Sequence, residues 1–536
     1  MANIETHDYI VVGAGSSGCA VAGRLSEDPS IRVLLVEAGP PADDFWIRTP
    51  AGMARLFLHQ RFNWNYFTEP VPTLNGRKVY WPRGKVLGGS SAINGMVYMR
   101  GHPRDYDHWE SLGNTGWGWN SVLDYFKRSE SNARGASANH GGSGPWRVSD
   151  PVLRHPSSEA FIAAAVRTGI PPNGDLNGPP YEGVGYQQFN IHEGRRQTAY
   201  DAFIRPVRGR PNLTVLTDTQ TLKVCIEGRQ ATGIEVQHRG QRRTIAAARE
   251  VVLSGGVINS PQLLMLSGIG PAAHLHEHGI AVRVDAPEVG RNLHDHWFGT
   301  FTLRTTRGGS YNQDLNGLRK YWHGLRYLLT GRGYLALGAS PLSAYVRSSP
   351  ELEQPDLQLV SRAMTFNFNP KGIVTVDAFP GISAAVVLLQ PRSRGHLHLR
   401  SADPLQPVAI HPRYLDDPED GRRFLVGMRR MRQILATEPM AARVAGEQSP
   451  GAHVTSDEDL LEHIRNQGAT AWHPVGTCRM GVDAGAVVDP SLRVRGIDRL
   501  RVADASVMPR ITSGNTSAPA VMIGEKAADM IRATPR

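Results

Sequence analysis

At 536 residues the chain exceeds what one hydrophobic core usually serves, so at least two domains are expected. Its 40% hydrophobic and 20% charged residues exclude a disordered or fibrous chain, and no apolar run approaches the roughly 20 residues that cross a bilayer. The net charge of +10 comes from scattered Lys and Arg without a basic tract, which argues against a nucleic-acid binder.

Residues 1 to 8 carry no basic cluster followed by an apolar core, and a strand begins at once, so a cytoplasmic location is expected. Asp8 to Gly18, DYIVVGAGSSG, reads as a strand, a glycine turn and a helix start. In that reading Gly13 makes the tight turn, Gly15 lets the backbone approach a pyrophosphate, and Gly18 lets helix and strand pack closely. Ser16 and Ser17 open the helix, at its positive end, where phosphate is favoured. Glu37, followed by Ala38, closes the strand RVLLVEAG about 20 positions after Gly18, where a carboxylate accepts from both hydroxyls of an adenosine ribose. An isolated glycine turn would show none of these flanking features, so an adenine dinucleotide is expected.

Trp81 to Gly101 joins the basic, glycine-rich GKVLGG to Ser90, Ser91 and Asn94, a backbone able to lie flat against a ligand. The strand-rich stretch 213–299 includes EVVLS, which leads into GGVINSPQLLMLSGIGP and reads as strand, turn and short helix. Leu318 to Gly333 is basic and amphipathic. Packing on its own domain is the preferred reading, and peripheral contact with the inner face of a membrane is the alternative. Between 300 and 470, alternating segments such as GISAAVVLLQ and GHLHLRS suggest an antiparallel sheet, with helices near 422–436 and 457–466. A discontinuous cofactor unit (1–101, 213–299, 471–536) and a second unit (102–212, 300–470) are therefore expected.

Near the C-terminus, TAWHPVGTCRMG and the segment Val502 to Ala527 carry the candidate active site. His473 alone among the side chains there has an ordinary pKa near neutrality, and Asn515 offers a neutral amide. A histidine before proline also caps turns, and most of the 20 histidines must be structural. Cys19, Cys225 and Cys478 are far apart and odd in number, which suits a reducing compartment and gives no metal site.

Taken together, GKVLGGSSAIN, GGVINSPQLLMLSGIGP, HPVGTCRMG, VADASVMP and GNTSAPAVMIGEKAADMI resemble the signatures of the glucose–methanol–choline family of flavoprotein oxidoreductases, in the branch of choline dehydrogenase-like bacterial alcohol dehydrogenases and oxidases. The resemblance implies an α/β (α+β overall) fold: a Rossmann-like FAD-binding domain plus a substrate domain with a six-stranded antiparallel sheet flanked by helices. It implies FAD, held by Gly13, Gly15, Ser16, Ser17, Gly18, Glu37 and Ala38; by Arg83, Gly88, Gly89, Ser90, Asn94, Gly95, Met96 and Val97; and by Thr221, Trp472, Asp504, Ala505, Asn515 and Thr516. His473 takes the place of the catalytic base and Asn515 that of its partner. Trp472 shapes the pocket beside the flavin.

Two departures narrow the expectation. Ile93 stands where some members tether FAD through histidine, so non-covalent FAD is expected. Phe298 stands where choline-specific relatives carry glutamate, leaving only Trp297 and Phe298 to offer cation–π contact. The implied reaction is oxidation of a primary alcohol with an apolar or aromatic body, by proton abstraction and hydride transfer to flavin N5. Electrons then pass to a quinone or other non-oxygen acceptor, or alternatively to O2. A same-fold lyase and a non-catalytic FAD protein complete the alternatives, and oligomeric state is left open.

Overall fold

The computed structural model describes residues 5–306, 308–368 and 374–534. Strand β1 (Thr6–Val12) is buried from Tyr9 onward, on both faces, as a central parallel strand requires. Helix α1 (Ser16–Leu25) and β2 (Val33–Val36) follow, then β3 (Gly183–Tyr186) and β4 (Leu213–Leu216). Three long strands, β5 (Thr219–Glu227), β6 (Gln230–His238) and β7 (Gln241–Leu253), lead into α2 (Gly256–Leu266). Next come β8 (Trp297–Thr305), α3 (Arg319–Thr330), β9 (Leu342–Val346), β10 (Leu357–Arg362) and β11 (Gly381–Leu388). The chain closes through β12 (His396–His398), β13 (Ala409–His411), α4 (Pro418–Leu435), β14 (Val444–Ser449), α5 (Asp457–Gln467), β15 (Ala469–Thr470), β16 (Leu500–Val502) and α6 (Ser517–Arg532).

One sheet runs in the order β4–β2–β1–β7–β6–β5, with β16 also paired to β7. Strands β4, β2, β1, β7 and β16 are parallel, and β5–β6–β7 is an antiparallel meander. Helices α1 and α6 lie together against it: Ser17 donates to the Ala520 carbonyl (2.7 Å), and a Cβ on Gly524 would fall 2.5 Å from the Ser17 carbonyl.

The second sheet runs β14–β8–β11–β10–β9–β3, antiparallel throughout. The short β15 pairs with the start of β8 on the edge that β14 occupies further along, so the sheet is six strands wide, as expected. Alternation assigns its two faces. Gly299 meets Met428 and Ile464, and Gly427 meets Val386 and Leu357, so α4 and α5 cover one face. Phe298, Thr300 and Thr302 point to the other.

Three local expectations change. Strand β8 starts at Trp297, so the passage between sheets falls there and not at residue 300. HLH, expected in the large sheet, pairs with β13 in a separate hairpin, because alternation identifies a strand without identifying its neighbour. Helix α3 does not pack its apolar face on its own domain. Only Tyr327 is buried, with its hydroxyl donating to the Gly194 carbonyl, while Leu318, Tyr321, Trp322, Leu325, Leu328 and Leu329 are 48–85% exposed.

Candidate active site

A cavity of about 700 Å3 lies between the two sheets. At one end Gly13, with φ of +99°, turns the chain: a Cβ there would lie 2.5 Å from the Ser254 carbonyl. A Cβ on Gly15 would meet nothing within 4 Å, so the backbone is open to a ligand. Gly15 and Thr516 begin α1 and α6, and neither supplies a side-chain cap, so amide groups of two helix starts are left for an anion, whereas the first amide of α2, Gly256, already donates to Asp504. Ser16, Ser17, Gly89, Ser90, Gly95, Met96, Val97, Ala505 and Thr516 line this cavity with them. Gly18 and Gly88 lie behind the wall. A Cβ on Gly18 would fall 1.9 Å from the Gly13 carbonyl, and one on Gly88 would press on Thr198, so both act through packing.

Glu37 and Ala38 line the same wall. Glu37 accepts from the amides of Ala14 (3.0 Å) and Gly39 (2.9 Å), and burial pushes its pKa up to about 7 against those bonds. Thr221 Oγ1 and Ser517 Oγ, also in this wall, are buried with no partner among the described residues. Orphaned hydroxyls are rare in native interiors, so these fit a polar ligand. Asp504 accepts from the Gly256 amide (2.8 Å) and the Ser260 hydroxyl (2.6 Å), and Asn94 accepts from the Met96 amide (3.0 Å) and from Arg196 (2.9 Å). Both fix wall loops.

His473 lies deeper, with its protonation state set by a chain of bonds. His296 Nε2 donates to the Leu389 carbonyl (3.0 Å), which leaves its Nδ1 as an acceptor. His473 Nδ1 stands 3.0 Å from that atom and must donate to it. Its Nε2 is therefore bare, and accepts from Asn515 Nδ2 (2.9 Å). Burial, with His296 and Arg83 nearby, holds the imidazole well below its ordinary pKa, so it is neutral at pH 7. The main chain is equally fixed: the His473 amide donates to buried Asp295 (2.8 Å), which also accepts from Thr470 and Tyr414. Between them Trp472 adopts φ of +60°, its carbonyl accepting from Arg83 (2.6 Å). A tryptophan in this region is strained, and here the strain delivers the next residue into the cavity.

The roof of the cavity is the free face of the second sheet. Register places Phe298, Val387 and Gln358 in one row across β8, β11 and β10; Thr300, Ala385 and Val360 in the next; and Thr302, Ser383 and Arg362 in the third. Ala469 pairs with Phe298, so the first row is nearest His473. Phe298 and Trp472 line the cavity as expected, and so does Ile93, whose aliphatic side chain offers no atom for a tether. Trp297 does not line it. Strand alternation turns it to the opposite face, where it packs on Tyr414 at 4.4 Å between centroids, so cation–π contact with a substrate is withdrawn from it. His296 and Arg362 are the residues that sequence reading missed. So is a trio outside the cavity lining, His396, His398 and His411, whose ligating atoms lie within 4.8 Å of one another although no spacing of cysteines suggested a metal.

A glycine-walled cavity with free helix-start amides at one part of its wall and a neutral histidine at another suits an enzyme that works on a bound dinucleotide. Models of the GMC oxidoreductase family match residues 7–298 and 391–524. The chain belongs to that family. It is 42% identical to the alcohol dehydrogenase [acceptor] of Pseudomonas putida, over 98% of this chain and 95% of that protein, and 41% identical to human mitochondrial choline dehydrogenase, over 99% and 90%. The crystal structure of pyridoxine 4-oxidase from Mesorbium loti superposes with a TM-score of 0.89 at 33% identity, covering 99% of this chain and 100% of that one. FAD is the cofactor of this family of flavoproteins, and the two uncapped helix starts, Glu37 and the orphaned Thr221 hydroxyl fit it.

Proposed function

We propose that the protein is an FAD-dependent dehydrogenase that oxidises a primary alcohol to an aldehyde and passes the electrons to a quinone or another non-oxygen acceptor. The observation that carries this reading is the bare Nε2 of His473, aimed with Asn515 Nδ2 into the cavity. A substrate hydroxyl that replaces their direct contact donates its proton to His473 while its oxygen accepts from Asn515. Bound FAD supplies the two-electron acceptor for the hydrogen leaving the carbinol carbon. Aliphatic Ile93 supports non-covalent attachment. In this reading residues 1–101, 213–296 and 471–536 form the cofactor unit and the remainder the substrate unit.

Anaerobic mixing of the yellow protein with a panel of primary alcohols, then admission of air, tests it. Bleaching followed by slow return of colour is the expected result. Fast return favours the second reading, an oxidase, which the resemblance to pyridoxine 4-oxidase supports. Absence of bleaching with every alcohol overturns both.

A lipid-soluble acceptor also accounts for α3. Its exposed aromatic and leucine side chains are interleaved with exposed Arg319, Lys320, Arg326 and Arg332, the pattern of a helix lying on an anionic bilayer surface. Each basic residue contributes about 1 kcal/mol near such a surface. The protein should co-sediment with phosphatidylglycerol vesicles and not with phosphatidylcholine ones, and Trp322→Glu with Leu325→Glu should abolish this. Vesicle binding unchanged by those substitutions, or a dimer that they dissociate, overturns the membrane role.

A further inference from the structure

We propose that Arg362 is the counter-ion for a carboxylate at the far end of the substrate, so that the favoured alcohols are hydroxy acids with the hydroxyl and the carboxylate at opposite ends of an apolar body. This rests on the alcohol-oxidising function proposed above, and changes its substrate class from neutral to anionic.

The guanidinium of Arg362 lines the cavity and makes neither an ion pair nor a hydrogen bond to any described residue. Three fully buried arginines, by contrast, have partners: Arg100 has Glu130, Arg501 has Glu250, and Arg196 has the carbonyls of Ile47 and Asn94. Arg362 is half-buried and faces the cavity, so a ligand that displaces water from it leaves a costly unpartnered cation unless that ligand brings the opposite charge. Burial alone pushes the Arg362 pKa down to about 10, with no carboxylate acting against it. The Phe366 ring lies 5.0 Å from the guanidinium carbon, so one face is occupied and the N–H edge stays free for a bidentate oxyanion.

Its surroundings agree. The third row of the roof continues onto β14, where Ser449 stands opposite Thr302, so this row reads Ser449, Thr302, Ser383, Arg362 and is polar from edge to edge. The middle row carries Thr300, Ala385 and Val360, one hydroxyl beside two apolar side chains. Four residues separate the third row from the Phe298 row beside His473, about 13 Å along the strands at roughly 3.3 Å per residue. The roof is thus polar at the Arg362 end and, apart from Thr300, apolar between that end and His473, the outline of an α,ω-bifunctional chain.

Matched pairs test this in the FAD-loaded enzyme: straight-chain primary alcohols and ω-hydroxy carboxylates of equal carbon number, followed by anaerobic flavin reduction. At some chain length the hydroxy acid should show the higher kcat/KM. Arg362→Gln should raise its KM by roughly 10- to 100-fold and leave kcat and the neutral alcohol nearly unchanged, with Arg362→Lys in between. Equal changes for acid and neutral alcohol, or a preference for neutral alcohols at every length, overturn the proposal while leaving alcohol oxidation in place. A straight-chain monocarboxylate, which is not oxidised, probes the contact by equilibrium titration of the flavin spectrum. Weaker binding to Arg362→Gln sustains the anion site even if no alcohol bleaches the flavin, and equal binding to both proteins overturns it.

Discussion

His473→Ala should keep its FAD and lose alcohol-dependent flavin reduction by roughly 100- to 10,000-fold, the span that a positioned general base supplies. The substitution removes the atom proposed to take the hydroxyl proton, while the backbone amide that anchors the loop on Asp295 stays. Reduction by dithionite should be unaffected, since it needs no base. Because burial holds His473 well below its ordinary pKa, the base form is already complete at neutrality and is lost only as pH falls beneath that lowered value. The wild-type rate constant should therefore stay level from about pH 8 to about pH 6.5, where an ordinary histidine would lose half its base form. A variant that reduces flavin at the wild-type rate, or a wild-type rate that halves near pH 6.5, removes His473 from this role.

His296→Leu should cost roughly 10- to 100-fold in the same rate, although its side chain serves His473 and not the substrate. Leucine cannot accept from His473 Nδ1–H, so the ring is free to take its proton on Nε2 and present a donor where an acceptor is needed. The buried Leu389 carbonyl also loses its partner. His296→Gln separates positioning from packing, because a glutamine amide donates to that carbonyl and accepts from His473 through its oxygen. Recovery of most of the rate in the glutamine variant is expected. Equal losses in leucine and glutamine variants would reduce His296 to a packing residue.

How much of this was legible before folding depended on distance along the chain. Gly13, Gly15 and Glu37 stand out because a glycine turn and the acid after the next strand are local, set by one strand, one turn and one helix. His473 and Asn515 stood out through the signatures around them, and the fold brings the two side chains within 2.9 Å. His296 was not, because its meaning arises only when it meets a ring 177 residues away. Arg362 looks in sequence like a surface residue at a strand end, and only the pairing of β10 with β11 puts it over the cavity. Trp297 and Phe298 show the finest limit: adjacent aromatics in one strand face opposite sides, and composition cannot fix which. The 3.6-residue period of α3 located an apolar stripe but said nothing of what covers it.

The roof rows have a consequence for how such an enzyme can diversify. In the proposed reaction, proton transfer would be anchored by loops that join the sheets, whereas ligand length and polarity would be read from cavity-facing positions on strands whose reverse side is clamped by α4 and α5. Exchanges at 298, 360 or 362 alter the vocabulary of accepted molecules without disturbing the grammar of the reaction, so one scaffold can be retuned position by position along a ruler ending at residue 362.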